Sequence, residues 1–321
     1  MIADLVLTNA KAYVKNEIVE CSFAVENGKI FKIGKETQMP KADERINLSG
    51  LLVLPGLIDV HVHLRDEGKA YKEDFYSGTA AAAAGGFTTV LDMPNNEPVT
   101  MSAETLRNRM RIAERKVMVN VGFYSEFPNK VEQVKDIVAE GALGFKLFMA
   151  NQVGGLNIND DRALHEAFTE VGKADVPVAV HAEDRVLIMA KTQELKAAKL
   201  DDPAAFFKAH SEQAELKAVE RILKTSAETK ARVHFCHVTT GESLDRVVEA
   251  KKSGRTVTCE VTPNHLLLSS ADFERVGAML SMMPPLRSKT NVEALWKGLE
   301  DGTVDAIGSD HAPHAQSCGA T

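Results

Sequence analysis

The sequence predicts an α/β fold: a (β/α)8 barrel of the TIM type over residues 55–321, preceded by a small N-terminal β element over residues 1–54. Two observations lead to this prediction. Short β-like runs separated by turn residues fill the first segment, and from Pro55 onward strand-like and helix-like segments alternate. Alternation of this kind is typical of a parallel sheet whose strands are connected by helices.

Composition narrows the class of protein. The 321 residues are 44% hydrophobic and 26% charged, which is ordinary for a globular protein. A net charge of −7 and the absence of a dense Lys/Arg run argue against nucleic-acid binding. No run of 18 apolar residues predicts a membrane span, and the N-terminus does not resemble a signal peptide. Four cysteines without paired spacing favour a cytoplasmic location.

The N-terminal element is predicted from three β-like runs, ADLVLTNAKAYV, IVECSFAVENGKIFKIG and INLSGLLVLPG. Asn27-Gly28 between two apolar runs is a strong hairpin signal. We therefore expect a small antiparallel, sandwich-like element that lacks a C-terminal half.

The barrel is predicted from eight strand-like segments. In order they are GLIDVHVHL, FTTVLDMP, VMVNVGFY, GALGFKLFM, VPVAVHAE, RVHFCHVT, TVTCEVTP and VDAIGSDH. Helices are expected between them, for example over residues 103–116, 131–140, 162–173, 211–226 and 241–253. A doubly wound open sheet is the alternative, but no G-x-G-x-x-G follows the first strand.

Histidines at the ends of three predicted strands are candidate metal ligands. His61 and His63 are two residues apart, so a strand would direct both toward one side. His181 and His237 each end another strand, and in a barrel the strand ends meet at one mouth. Taken alone, each histidine is better explained as a core, surface or capping residue. On the strand that contains His237, alternation predicts that His234 and Cys236 face the helices.

Two further residues stand out for their surroundings. Asp310 ends the eighth strand, where a carboxylate can bind metal and accept a proton, although a helix cap or turn is an equal alternative. Lys146 lies inside an apolar strand, where an unpaired ammonium is costly. Its amine could reach the barrel end, or it could react with CO₂ to give a carbamate that binds metal.

Taken together, the motifs resemble the dihydroorotase branch of the amidohydrolase superfamily, on the type I side. They are PGLIDVHVHLRD, TTVLDMPNN, GFKLFM, AVHAED, FCHVTTGES, CEVTPNHLLL, MPPLRS and DAIGSDHAPH. The resemblance implies two Zn²⁺ per subunit, bridged by carboxylated Lys146 and a hydroxide. It implies that His61, His63 and Asp310 bind one ion and that His181 and His237 bind the other.

The resemblance also implies a substrate and a reaction. Arg65, Asn95 and His314 match the residues that bind the substrate carboxylate, and a guanidinium suits a carboxylate because it donates two parallel hydrogen bonds. For Arg65, a surface salt bridge with Asp66 or Glu67 is the alternative. The reaction would be zinc-dependent cyclisation of N-carbamoyl-L-aspartate to dihydroorotate, with Asp310 as the catalytic proton carrier. A homodimer and association with aspartate transcarbamoylase are further implied possibilities.

Three features depart from the family pattern. Met283 stands where an Asn is usual, Asn264 stands where a His is common, and the chain ends shortly after His314. We therefore expect a barrel truncated after its eighth strand, with exposed apolar surface and open strand edges. A hydantoinase, an allantoinase and a non-catalytic homologue acting as a scaffold remain alternatives.

Overall fold

The structure is a computed structural model that describes residues 2–200 and 202–315. Cys318 and the other residues after Ala315 lie outside this part. The chain divides into two compact units, Met1–Gly56 and Leu57–Thr321.

The first unit is one five-stranded sheet. Its strands are β1 (Ala3–Val14), β2 (Glu17–Glu26), β3 (Lys29–Gly34), β4 (Ala42–Asn47) and β5 (Leu52–Val53). The hairpin predicted at Asn27-Gly28 joins β2 to β3, and both turn residues have positive φ, 52° and 71°. Positive φ at both central positions is the backbone of a type I′ turn, which explains the Asn-Gly pair.

The prediction of a purely antiparallel element is wrong, because the sheet is mixed. Strands β1, β2 and β3 are antiparallel neighbours, whereas β4 and β5 both pair with β1 in parallel. After β3 the chain makes a 3-10 turn at Glu36–Gln38 and crosses to the other side of β1. Strand β4 then runs in the direction of β1, a connection that period-two patterning does not reveal.

The second unit contains all eight predicted barrel strands in order. They are β6 (Leu57–Val62), β7 (Phe87–Asp92), β8 (Asn120–Glu126), β9 (Gly144–Phe148), β10 (Pro177–His181), β11 (Arg232–Phe235), β12 (Val257–Val261) and β13 (Ala306–Ile307). Each strand pairs in parallel with the next.

The last strand returns to the first. Val62 and His311 form a parallel bridge, and the His63 amide donates to the His311 carbonyl at 2.7 Å. The Asp59 carboxylate also accepts a hydrogen bond from the Ser309 amide at 3.0 Å. The eight strands therefore form a (β/α)8 barrel rather than the open sheet considered as an alternative.

Helices surround the barrel. They are α1 (Phe75–Ala84), α2 (Ala103–Glu114), α3 (Val134–Glu140), α4 (Asp161–Ala174), α5 (Arg185–Ala197), α6 (Pro203–Ala209), α7 (Glu212–Thr229), α8 (Gly241–Lys252), α9 (Pro263–Leu267), α10 (Ser270–Val276) and α11 (Lys289–Glu300). Most begin at a capping side chain. Asp74, Ser102 and Thr240, for example, each accept a hydrogen bond from a backbone amide of the first turn. Such caps satisfy amides that have no partner within the helix.

Alternation along the strands separates an apolar layer from a polar interior. In β9, Phe145 and Leu147 are buried in the large core that includes side chains of the surrounding helices. Lys146 lies between them, so its side chain points to the opposite side, into the barrel. Burying each large apolar side chain contributes about 1.5–3 kcal/mol. This apolar layer is what holds the polar side chains in the barrel interior.

Candidate metal and substrate site at the barrel mouth

The predicted ligands come from the carboxyl ends of different strands. His61 lies in β6 with His63 just beyond it, Lys146 lies in β9, and His181 ends β10. His237 follows β11, and Asp310 follows β13. Because the strands are parallel and the barrel is closed, these ends meet at one mouth, where barrels of this type carry their chemistry.

The first cluster contains His61, His63 and Asp310. Their ligand atoms lie within 4.8 Å of one another. The Asp310 carboxylate is 3.3 Å from His61 Nε2 and 3.2 Å from His63 Nε2. Burial opposes ionisation of Asp310, but the His61 and His63 charges outweigh it and hold its pKa well below the usual range. Two imidazole nitrogens and a carboxylate oxygen converging in this way are a donor set that suits zinc.

The second cluster contains His181 and His237. Nδ1 of His181 lies 3.1 Å from Nε2 of His237, and both rings are buried. Burial and the charge of His181 lower the pKa of His237 well below its usual value. Neutral imidazole is the form that binds a metal ion. Within the described residues, Nδ1 of His237 is buried without a hydrogen-bond partner.

Lys146 is fully buried next to the first cluster. Its Nζ lies 3.4 Å from His61 Nε2 and 3.0 Å from Cys236 Sγ. No carboxylate in the described part of the chain lies within 4.0 Å of this Nζ to form a salt bridge. A buried amine without a counter-ion is costly as an ammonium. Conversion to a carbamate would make it an anionic ligand, so the residues present fit a two-metal centre.

Two glutamates that the sequence analysis did not single out hold the histidines in place. Glu260 in β12 is hydrogen-bonded to His61 Nδ1, to His234 Nε2 at 3.0 Å and to the His237 amide at 3.2 Å. Burial opposes its ionisation, but the charge of His61 and hydrogen bonds from His234 and His61 keep its pKa well below the usual range. Holding one ring nitrogen leaves the other nitrogen of His61 directed toward the Asp310 carboxylate of the first cluster.

Glu183 has the same role behind the second cluster. Its carboxylate is 2.7 Å from His181 Nε2 and 3.0 Å from His210 Nδ1. Burial alone would raise the pKa of Glu183. The hydrogen bonds and charges of His181 and His210 lower it by a larger amount, so its pKa lies below the usual value. The sequence signal for both glutamates was their place at a strand end, in CEVTP and AVHAED.

The prediction that His234 and Cys236 face the helices is wrong. Val233 and Phe235 belong to the core that packs against the helices, whereas His234 contacts Glu260 and Cys236 contacts Lys146 inside the barrel. Strict alternation would then place His237 with Val233 and Phe235. However, β11 ends at Phe235, and His237 has a positive φ of 35°. The backbone turns there and brings the His237 ring back to the mouth.

Of the three residues predicted to bind the substrate carboxylate, Arg65 and His314 lie next to each other and Asn95 makes a separate contact. The Arg65 guanidinium donates to the Pro313 carbonyl at 3.2 Å and lies 3.4 Å from His314 Nε2. Asn95 instead contacts a residue of the first cluster, with its Oδ1 2.6 Å from His63 Nδ1. Arg65 makes no salt bridge to Asp66, which pairs with Lys116 at 2.6 Å. A salt bridge between Arg65 and Asp66, which was one alternative for Arg65, is therefore not formed.

The two unusual positions of the sequence lie in exposed places. Met283 is 47% exposed, and Asn264 is exposed on α9. The neighbouring His265 is buried, and its Nε2 lies 3.0 Å from the Pro284 carbonyl oxygen. No helix in the described part of the chain is both long and apolar enough to cross a membrane.

The fold and the site together define a parallel barrel with a histidine-rich, carboxylate-containing donor set at its catalytic end. Comparison with known proteins identifies the family. The amidohydrolase family matches residues 52–321. The chain belongs to the amidohydrolase family.

Its similarity to individual relatives is more specific. A dihydroorotase of Methanosarcina acetivorans is 37% identical over 98% of this chain and 68% of its own length. A dihydroorotase of Methanothermobacter thermautotrophicus is 40% identical over 97% of this chain and 68% of its own length. The predicted resemblance to the dihydroorotase branch is thereby confirmed.

Solved structures of similar proteins confirm the fold. The L-hydantoinase (dihydropyrimidinase) of Arthrobacter aurescens aligns with a TM-score of 0.92 at 30% identity, covering 98% of this chain and 70% of that one. A D-hydantoinase of a Thermus species aligns with a TM-score of 0.87 at 26% identity, covering 98% and 70%.

Proposed function

We propose that the chain is a dihydroorotase, which interconverts N-carbamoyl-L-aspartate and dihydroorotate. The observation that carries the proposal is the position of Arg65. A buried guanidinium next to His314 lies only two residues from His63 in the metal-ligand set. Dihydroorotate carries a carboxylate that a hydantoin ring and allantoin lack, and a buried guanidinium matches that group.

We infer a centre of two zinc ions. His61, His63 and Asp310 would hold one ion, His181 and His237 the other, and carboxylated Lys146 both. Support comes from the two clusters of facing donor atoms and from the buried Lys146 amine, which lies 3.4 Å from His61 Nε2 and has no carboxylate at salt-bridge distance among the described residues. When bound, the metal ions would polarise the ring carbonyl and lower the pKa of the attacking water.

The residues of the chain would then orient the substrate and move one proton. Arg65 would bind the substrate carboxylate, and His314 and Asn95 would line the same side. The Asp310 carboxylate, which faces both His61 and His63, would take the proton of the attacking water. It would return that proton to the departing amide nitrogen. In the direction of ring closure the same steps run backward.

The nearest alternative is another cyclic amidohydrolase. The solved structures reported above are hydantoinases, so the barrel and the metal site alone do not distinguish the two activities. A scaffold without catalysis is the alternative of another class. The resemblance also predicts a homodimer, association with aspartate transcarbamoylase and a cytoplasmic location, which gel filtration, co-purification and cell fractionation would test.

The deciding experiment compares substrates at equal enzyme concentration. The purified chain, supplied with zinc and bicarbonate, is assayed with dihydroorotate, a hydantoin and allantoin, and its metal content is measured. We expect turnover of dihydroorotate to be the fastest. Faster turnover of the hydantoin or allantoin would contradict the proposal, and bound metal without turnover of any of them would support the scaffold.

A matched variant tests the role of Asp310. Asp310→Asn keeps an oxygen ligand but cannot accept the proton, so turnover should fall by about 100-fold or more. Its metal content should fall much less. Equal losses of metal and turnover would contradict the proton-transfer role.

A further inference from the structure

The loop between β6 and α1 contains three cations and four carboxylates, and the two sets do not pair with each other. The cations are Arg65, Lys69 and Lys72, and the carboxylates are Asp66, Glu67, Glu73 and Asp74. In a flexible surface loop, opposite charges at such density would be expected to pair with one another. The separation of the two sets therefore needs a structural reason.

Each carboxylate is occupied by a partner outside the cation set. Asp66 pairs with Lys116 at 2.6 Å, and Glu67 accepts from the Asn108 side chain at 2.9 Å. The other two are equally engaged: Glu73 lies 2.9 Å from His311 Nε2, and Asp74 caps α1 by accepting from the Ser77 amide at 2.8 Å.

The three cations contact groups that do not neutralise them. Lys69 donates to the Asn95 carbonyl at 2.8 Å, and Arg65 donates to the Pro313 carbonyl at 3.2 Å. Lys72 Nζ lies 3.1 Å from His314 Nδ1. Among residues 2–200 and 202–315, no carboxylate lies within the 4.0 Å salt-bridge distance of these three groups. Burial, together with the charges of Arg65 and Lys72, lowers the pKa of Lys69.

His314 lies between two of these cations and can accept a hydrogen bond from only one of them. Its Nδ1 faces Lys72, and its Nε2 faces the Arg65 guanidinium at 3.4 Å. A neutral imidazole has one acceptor nitrogen, whereas Lys and Arg are donors only. His314 can therefore accept from one of these two cations, and as a neutral ring it neutralises the charge of neither. Arg65 also donates to the Pro313 carbonyl, whereas the half-buried Lys72 ammonium has the neutral His314 ring as its hydrogen-bond partner in the described part of the chain. Lys72 can exchange that neutral partner for an anion.

We propose that Lys72 binds the substrate's non-reacting carboxylate together with Arg65, and that this second cation sets the preference for a ring that carries a carboxylate. The inference rests on the proposed function, because it assigns a further binding residue to the same substrate. A carboxylate has enough acceptor positions for a bidentate guanidinium and one ammonium. It would accept from both cations and supply the negative charge that the neutral His314 ring lacks.

The test uses two rings that differ in one group. Dihydroorotate and dihydrouracil share the ring amide that is cleaved, and only the former has the additional carboxylate. A charge-assisted hydrogen bond supports an effect of about ten-fold. Lys72→Met should therefore raise KM for dihydroorotate about ten-fold with kcat nearly unchanged, and it should leave KM for dihydrouracil as it was. Lys72→Arg should restore most of the loss.

The controls separate this contact from a general effect of charge. Lys135→Met removes the same charge from an exposed position on α3 and should leave KM unchanged for both substrates. Arg65→Gln, like Lys72→Met, should raise KM for dihydroorotate. An equal change for both rings in Lys72→Met, or no change for dihydroorotate, would overturn the proposal.

A binding measurement keeps this inference distinguishable from the proposed function. Calorimetric titration with N-carbamoyl-L-aspartate and with N-carbamoyl-β-alanine compares the corresponding open chains without requiring turnover. The Kd of the first alone should rise about ten-fold in Lys72→Met. If the unsubstituted chain fails to turn over dihydroorotate, the proposed function fails. The proposal for Lys72 is then supported if the binding difference persists and overturned if Lys72→Met leaves the Kd unchanged.

Discussion

At the scale of single residues, the site depends on carboxylates that contact histidines rather than a metal ion. The Glu260 carboxylate accepts hydrogen bonds from His61, His234 and the His237 amide in a fully buried position. Burying a charge is favourable only when such partners satisfy it. Glu260 therefore sets which ring nitrogen of His61 faces the barrel mouth.

This arrangement predicts the effect of Glu260→Gln. A Gln side chain presents an NH₂ group to donors that the carboxylate accepts from, so the His61 ring would lose its fixed orientation. We expect zinc affinity to fall about 10–100-fold, as for other partners that orient metal-ligating histidines. Competition with a chromogenic chelator measures it.

The matched control is Glu242→Gln, which makes the same change at an exposed position of α8. Its zinc affinity should equal that of the unsubstituted chain. If Glu260→Gln also retained full zinc affinity, Glu260 would not be a positioning residue.

At the scale of elements, close packing of β9 against β10 places Lys146 in the barrel. Lys146 lies opposite Ala179 in the register of these strands, two residues after Gly144. A Cβ at Gly144 would lie under 3.0 Å from the Pro177 carbonyl oxygen, a backbone atom that cannot move without displacing β10. Glycine is therefore required here for close approach of the strands.

Gly144→Ala should consequently destabilise the barrel. Overpacking of this kind costs about 1–3 kcal/mol in the free energy of unfolding, which urea denaturation would measure. Gly85→Ala is the control, because the nearest atom to its added Cβ lies at 3.4 Å and its φ is negative. That control should change stability by less than about 1 kcal/mol. Equal stability of Gly144→Ala and the unsubstituted chain would refute the packing argument.

At the scale of the whole barrel, the proposed ligands link strands that are far apart in sequence. The first and last of the proposed ligands, His61 and Asp310, lie at the same mouth of the barrel. The pairing of the chain after β13 with β6 brings these two residues together. An ion held by such residues stabilises the folded chain because the unfolded chain has no assembled site.

Metal removal should therefore lower the melting temperature of the chain. At a zinc concentration about 100 times the Kd, binding would add about 2.7 kcal/mol, or several degrees for a protein of this size. Calorimetry of chelator-treated protein, with and without added zinc and bicarbonate, measures the difference. Lys146→Met should show a smaller increase, because it cannot form the carbamate. An unchanged melting temperature on adding zinc would count against the metal site.

Much of the site could be predicted from the sequence because its ligands sit at strand ends. A strand shows itself as a short apolar run, and a polar residue that ends such a run is visible in a single sequence, as for His181 and Asp310. The orientation of side chains near His237 could not be predicted in this way. The strand ends at Phe235, and the positive φ of His237 breaks the alternation on which the prediction relied.

The sequence by itself determined the order of barrel strands, the Asn27-Gly28 hairpin and the metal-ligand candidates, because each depends on local pattern and on residue chemistry. Only the tertiary structure decided which partners those residues have. Glu260 meets His61, and Lys72 meets His314, across separations of 199 and 242 residues. Contacts of that kind arise when the barrel closes, and no local periodicity encodes them.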